Sequence, residues 1–136
     1  MSPAVMTRRA PRVPRPQRFG CGVDVVELTR FRQAVKRSGQ AFLKRVYTDT
    51  ELETAKRRRD REGYLAGRFA AKEAVVKAVA QVDPKHPLTM RQIEVRNDAL
   101  GRPYVILHRR NHAPRAVYVS LSHADRTAVA SAIAIR

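Results

Sequence analysis

Acid is what this chain is short of: 12 Asp and Glu stand against 28 Lys and Arg, for a formal net charge of +16. Tryptophan is absent, and cysteine occurs once, at Cys21. A lone cysteine excludes an intramolecular disulfide and fits a reducing, cytoplasmic setting. Set between glycines in an apolar run, with no histidine or acid partner nearby in sequence, Cys21 reads as a small core residue rather than a nucleophile. No apolar run approaches the roughly 18 residues that a membrane helix needs. Walker A, G-x-G-x-x-G, G-x-S-x-G and paired C-x-x-C patterns are all missing. His108-x-x-x-His112 has metal-ligand spacing only on a helix. It straddles a predicted strand end, has no Cys or acid in its pattern, and reads as a surface pair.

The basic surplus favours a polyanionic partner: nucleic acid, an anionic membrane or a strongly acidic protein. It is not confined to one end. Residues 1–18 contain four prolines, five arginines and no acid, which predicts a disordered basic arm. The arm lacks the apolar stretch of a signal peptide, and its prolines would break a transit helix. The remaining 19–136 is expected to be one domain and still carries a net +11.

Along that domain, Phe19–Leu28 is β-branched and bounded by glycines, so it reads as a strand with Val23 and Val25 on one face and Asp24 and Val26 on the other. Thr29 can cap a helix over 30–38 that stops at Gly39, with a short amphipathic turn over 40–46. Thr48-x-x-Glu51 fits a capping box and starts another helix. A long helix follows from near Gly63 until Pro84 and Pro87 forbid continuation. The alternating segments 92–96 and 104–107 flank the turn NDALGRP and predict a hairpin. Segments 117–121 and 128–135 read as two further strands, with SHADR as the turn between them. Strand, three helices and then a run of strands makes the fold class α+β.

Two elements carry unusual charges. On a helical wheel the long helix shows an apolar stripe of Leu65, Phe69, Val76 and Val79, and Lys72 falls inside it. Lys72 either snorkels to water or meets something anionic against the core. Glu73 and Lys77 are neighbours at the stripe's edge, and Arg68 lies one turn before Lys72. Asp24 is out of place in a β-branched strand. It is either an edge residue facing solvent or a carboxylate held for a metal. If the strand packs on the helix, Asp24 and Glu73 can share a Mg²⁺, a cation that takes one or two carboxylates plus substrate phosphates. Arg68, Lys72 and Lys77 would then surround those phosphates, an arrangement suited to phosphoryl transfer. Arg30, Arg32, Lys36 and Arg37 form a face of one sign on the first helix. It is a solvated face or the seat of an acidic partner.

GVDVVELTRF, FLKRVYTDTEL, YLAGRFAAKEAVVKAV, IEVRNDALGRPYV and VSLSHAD, in that order, resemble the holo-acyl-carrier-protein synthase family of 4′-phosphopantetheinyl transferases. The likeness runs from Phe19 to about Ile135. It implies that family's fold and an enzyme moving phosphopantetheine from coenzyme A to a serine of an apo acyl carrier protein, releasing 3′,5′-ADP. By motif position, Asp24 and Glu73 resemble the Mg²⁺ ligands and Lys77 the lysine on the pyrophosphate. Arg68 and His123 look like contacts near the 3′-phosphate, with His123 supplied by a neighbouring subunit of a homotrimer. Arg30 resembles a contact to the carrier, an acidic helical bundle of fatty-acid or polyketide assembly. In two places the chain departs from the family. Ala80–Pro84 lacks the usual Gly-Thr-Gly-like loop, so no adenine contacts carry over, and Ala124 replaces a common hydroxyl residue. The rival reading is a basic nucleic-acid-binding module. The chain shows no basic–aromatic interleaving, zinc-finger or RNP pattern to support it.

Overall fold

The computed structural model describes residues 15–136. The basic arm expected over 1–18 falls largely outside the described residues. Its last residues already belong to the body: Gln17 N donates to Gln81 O at 2.9 Å and Arg136 N to Arg18 O at 2.9 Å.

Strand β1 (Phe19–Glu27) leads into α1 (Leu28–Val46), α2 (Asp49–Lys56) and α3 (Arg61–Val82). Strands β2 (Ile93–Asn97), β3 (Pro103–Leu107), β4 (Ala116–Ala124) and β5 (Thr127–Ile135) complete the chain. The α+β class and the element order agree with the sequence. The helix expected to end at Gly39 instead continues: Gly39 adopts φ 51° and kinks α1, whose second half replaces the expected turn. Its N-cap position is Glu27, one residue ahead of the helix, not Thr29. The Thr48–Glu51 capping box is present, and Asp60 caps α3 through Gly63 N.

Pairing is antiparallel throughout, in two separate sheets of order β1-β5-β4 and β2-β3. The first strand therefore pairs with the last. α3 lies across the inner face of the larger sheet, and alanines make that contact close. Ala66, Ala70, Ala71, Ala74 and Ala78 are all fully buried, as are Ala128, Ala130, Ala132 and Ala134 opposite them to within 2%. On β1 even alanine is too large. A Cβ on Gly20 would stand 1.9 Å from Ala78 O, and one on Gly22 would stand 2.0 Å from Ala74 O. The two glycines thus let a strand backbone touch a helix backbone. α3 is buried on most of its circumference rather than along one stripe. Leu65 and Val79 are core, whereas Phe69 and Val76 are only partly covered. Among the described residues, no helix is long and apolar enough to cross a membrane.

Candidate active site

The contact between β1 and α3 creates the first charged group. With Gly22 seated on Ala74, the next inward residue of β1 is Asp24, which comes beside the side chains of Glu73 and Lys77 on α3. Lys77 Nζ donates to Asp24 Oδ1 at 3.2 Å and to Val23 O at 2.9 Å. Asp24 does not face solvent as an ordinary edge residue would; its side chain is 19% exposed. Burial pushes the Glu73 carboxyl above its ordinary value, and the charge of Asp24 adds to the rise against the opposing Lys77. Two carboxylates thus stand near one lysine, which bonds to Asp24 and acts on Glu73 through its charge. The donor set is all oxygen, carries excess negative charge, and fits a hard divalent cation such as Mg²⁺.

A second group forms on the other side of α3. Arg58, Arg59, Tyr64, Arg68, Asn97 and His123 line a cleft of ≈ 330 Å³. Gly67 on α3 faces Leu121 of β4, the strand that carries His123; a Cβ placed on Gly67 would meet the Leu121 side chain at 3.6 Å, an ordinary contact. His123 is paired with Ala128 within the β4–β5 ladder, not placed in a turn as the sequence suggested. Arg68 is buried, donates to Asn97 Oδ1 at 2.7 Å and lies over the Tyr64 ring at 4.4 Å. Its Nε is buried with no hydrogen-bond partner. A buried guanidinium N–H without an acceptor is costly unless a ligand supplies one, and an anion is the natural candidate. The sequence reading missed Arg58, Arg59, Tyr64 and Asn97. The run Arg57-Arg58-Arg59 ahead of a capped helix was the available signal.

The two groups do not meet within one chain. Asp24, Glu73 and Lys77 line no wall of the cleft that holds Arg68 and His123. Arg68 and Glu73 are five residues apart on a helix, hence roughly 140° apart around its axis. β5 separates β1 from β4 in the sheet, so Asp24 and His123 flank α3 from opposite sides.

Lys72 belongs to neither group. It is 0% exposed and donates to Glu51 Oε1 at 2.5 Å, Val46 O at 2.7 Å and Met90 O at 3.1 Å. With all three N–H groups committed, it cannot reach a bound phosphate. The expectation that it binds cofactor is corrected to a structural role. Glu51 also accepts from Thr48 N and Val95 N, both at 2.9 Å, so one carboxylate joins α2, α3 and β2.

On α1, Arg30, Arg32, Lys36 and Arg37 are all exposed. Arg30 lies 3.8 Å from Glu27 and Arg32 pairs with Glu62. Lys36 and Arg37 make no ion pair among the described residues. His108 and His112 are not partners: His108 lies 3.6 Å from Glu94, and His112 stacks on His86.

Residues 20–134 match the family model of the 4′-phosphopantetheinyl transferase superfamily. A holo-[acyl-carrier-protein] synthase of Chlorobaculum parvum is 44% identical over 112 residues, covering 82% of this chain and 94% of that protein. Among solved structures, a holo-(acyl-carrier-protein) synthase from Bacillus anthracis in complex with CoA (3′,5′-ADP) superposes with TM-score 0.71 at 35% identity, covering 85% of this chain and 95% of the other. The enzyme of the same name from Neisseria meningitidis gives TM-score 0.73 at 30% identity, covering 86% and 98%. With the glycine-seated strand, the paired carboxylates and the arginine-lined cleft beside these likenesses, the chain belongs to the holo-[acyl-carrier-protein] synthase family of 4′-phosphopantetheinyl transferases.

Proposed function

We propose that the protein transfers 4′-phosphopantetheine from coenzyme A to a serine of an apo acyl carrier protein and releases 3′,5′-ADP, in the cytoplasm. The observation that carries this reading is the meeting of Asp24, Glu73 and Lys77 at the β1–α3 contact. A Mg²⁺ held by Asp24 and Glu73 would supply neutralising charge to the pyrophosphate. Lys77 stands beside the two carboxylates with a half-exposed side chain, placed to meet the charge that builds on the leaving phosphate oxygen. Arg68, with its unpartnered Nε, and His123 would hold the 3′-phosphate in the cleft between them. The serine oxygen forms its bond to the β-phosphorus and loses its proton to solvent as the pyrophosphate bond breaks, and 3′,5′-ADP departs with the electrons of that bond.

The separation of the two groups argues for a site shared between copies. The face of the larger sheet turned away from α3 is apolar and open. Phe19, Val23, Val25, Tyr118 and Ile133 are 50–63% exposed and share that face. Such a patch on a β-sheet suits an interface, and a closed trimer would set the Arg68–His123 cleft of one chain beside the Asp24–Glu73 pair of the next. The test is incubation with CoA, Mg²⁺ and a panel of apo carrier proteins, read by intact mass. Asp24→Ala and Glu73→Ala should each abolish the mass gain while circular dichroism stays unchanged. Full activity of either variant in EDTA-treated buffer would reject the metal assignment.

A further inference from the structure

At the far end of α3 a different cluster has formed. Asp83 ends the helix, His86 follows in the turn, and His112 reaches in from the segment between β3 and β4. One ligand atom from each lies within 4.8 Å of the others. His86 Nδ1 is 2.9 Å from Asp83 Oδ1, and the His86 and His112 rings stack with centroids 3.5 Å apart and planes 9° from parallel.

The two segments are held in place independently of the histidines. Arg109 donates from Nη1 to His86 O at 2.8 Å and from Nη2 to Pro87 O at 3.0 Å, clamping one loop onto the other. His112 has φ 58°, the one non-glycine residue described with a left-handed backbone. That conformation is uncommon for a side-chain-bearing residue, and here it directs the ring at His86. A cavity of ≈ 360 Å³ adjoins the cluster, with Lys85 and Arg136 on its wall.

We propose that Asp83, His86 and His112 form a site for a borderline divalent cation of the zinc type, separate from the carboxylate pair of the transfer reaction. Two imidazoles and one carboxylate suit Zn²⁺ or Co²⁺ and not Mg²⁺. Ligand bonds of about 2.0–2.2 Å require the three groups to draw inward, which a turn of the exposed His112 ring provides. The cavity leaves the remaining position open, and Lys85 and Arg136 favour an anion there. Ten residues of helix separate Asp83 from Glu73, about 15 Å, so the two sites do not compete for one ion. The bound cation ties the end of α3 to the β3–β4 segment.

The experiment uses the full chain with Cys21→Ser, to remove the thiol, in excess Mg²⁺, to fill the carboxylate pair. Titration with Zn²⁺ by calorimetry and with Co²⁺ by its visible d–d bands should show one ion per chain. Histidine NMR signals of His86 and His112 should shift on Zn²⁺ addition, and those of His108 and His123 should not. His86→Ala and His112→Asn should each weaken binding at least about tenfold, since even loss of an outer partner costs that much. Asparagine is chosen because it tolerates the left-handed backbone. His108→Asn should change nothing. No stoichiometric binding to the parent, binding that persists in both variants, or shifts at other histidines alone would overturn the proposal.

Discussion

At Lys72 a positive charge sits with no solvent contact, and it is held by one carboxylate and two carbonyls. Burial lowers its pKa from the ordinary value, and the charge and hydrogen bond of Glu51 work in the other direction. Methionine has nearly the right shape for that space, so Lys72→Met isolates the charge from the packing. It would leave Glu51 buried without its cation, and a broken buried pair costs about 3–5 kcal/mol. Urea denaturation at neutral pH should show a loss of that size, and a variant as stable as the parent would remove the anchoring role. The wheel located Lys72 against the core because periodicity reports which side of a helix is inward. It could not show that the counter-charge is Glu51, because a partner 21 residues away and in another helix leaves no trace in local pattern. The wheel also marked Arg68 as a possible phosphate contact, but its pairing with His123 was legible only through resemblance. Their shared cleft is lined by α2–α3, β2 and β4, segments far apart in the chain whose meeting leaves no local pattern.

At the scale of elements, β1 and α3 act as one unit, and the carboxylate pair is a consequence of their contact. The alternation of β1 was readable, since Val23 and Val25 do face away from Asp24. Its partner was not, because the first strand pairs with the last and nothing local records that. The expected apolar stripe on α3 was too narrow for a related reason. A helix packed by alanines on a sheet buries small residues that a wheel weights lightly. Between α2 and β2 the buried Glu94 is the joint, accepting from Thr48 Oγ1 at 2.7 Å and from Arg96 Nε at 2.5 Å. Burial would raise its pKa, but the hydrogen bonds from Thr48 and Arg96 and the charges of Arg96 and His108 outweigh burial and leave it below 4.5. A carboxylate depressed in the folded state contributes stability that is present above its unfolded pKa and lost as pH falls through its folded one. Glu94→Gln should therefore lower Tm at pH 7, and the difference from the parent should shrink as pH falls below the ordinary carboxyl range and vanish once pH has passed below the depressed folded value. A difference that stays constant across that range would mean that shape, not charge, holds the joint.

At the scale of the whole molecule, the basic surplus acquires a use if the acidic substrate docks on α1. Arg30 is 86% exposed with only a 3.8 Å contact to Glu27, so its charge is available at modest energy, about 1 kcal/mol or less. Arg30→Glu should raise KM for the carrier protein several-fold, leave KM for CoA nearly unchanged, and lose its effect as salt rises. Arg32, already paired with Glu62, should matter less. Steady-state kinetics with each substrate varied in turn at low and high salt checks both.

The division of the site gives the sharper test of assembly. Asp24 and His123 lie on opposite sides of α3, so a variant lacking either should be inactive alone, each for a different half of the site. In a trimer whose sites are completed by neighbours, mixing Asp24→Ala with His123→Ala chains regenerates intact sites. These form wherever a chain with Asp24 sits beside a chain with His123 in the productive order. Random exchange at equal amounts gives that arrangement in about a quarter of sites. Activity should therefore rise from near zero toward that fraction of the parent's after the two proteins are unfolded and refolded together. It should stay near zero when they are refolded apart and then assayed together without exchange. A third mixture, Asp24→Ala with Glu73→Ala, should recover nothing, because those two residues meet at one β1–α3 contact within a single chain. Recovery in that control would mean that Asp24 and Glu73 reach a site from different chains, and no recovery in the first mixture despite exchange shown by native mass spectrometry would place Asp24 and His123 in one protomer's site.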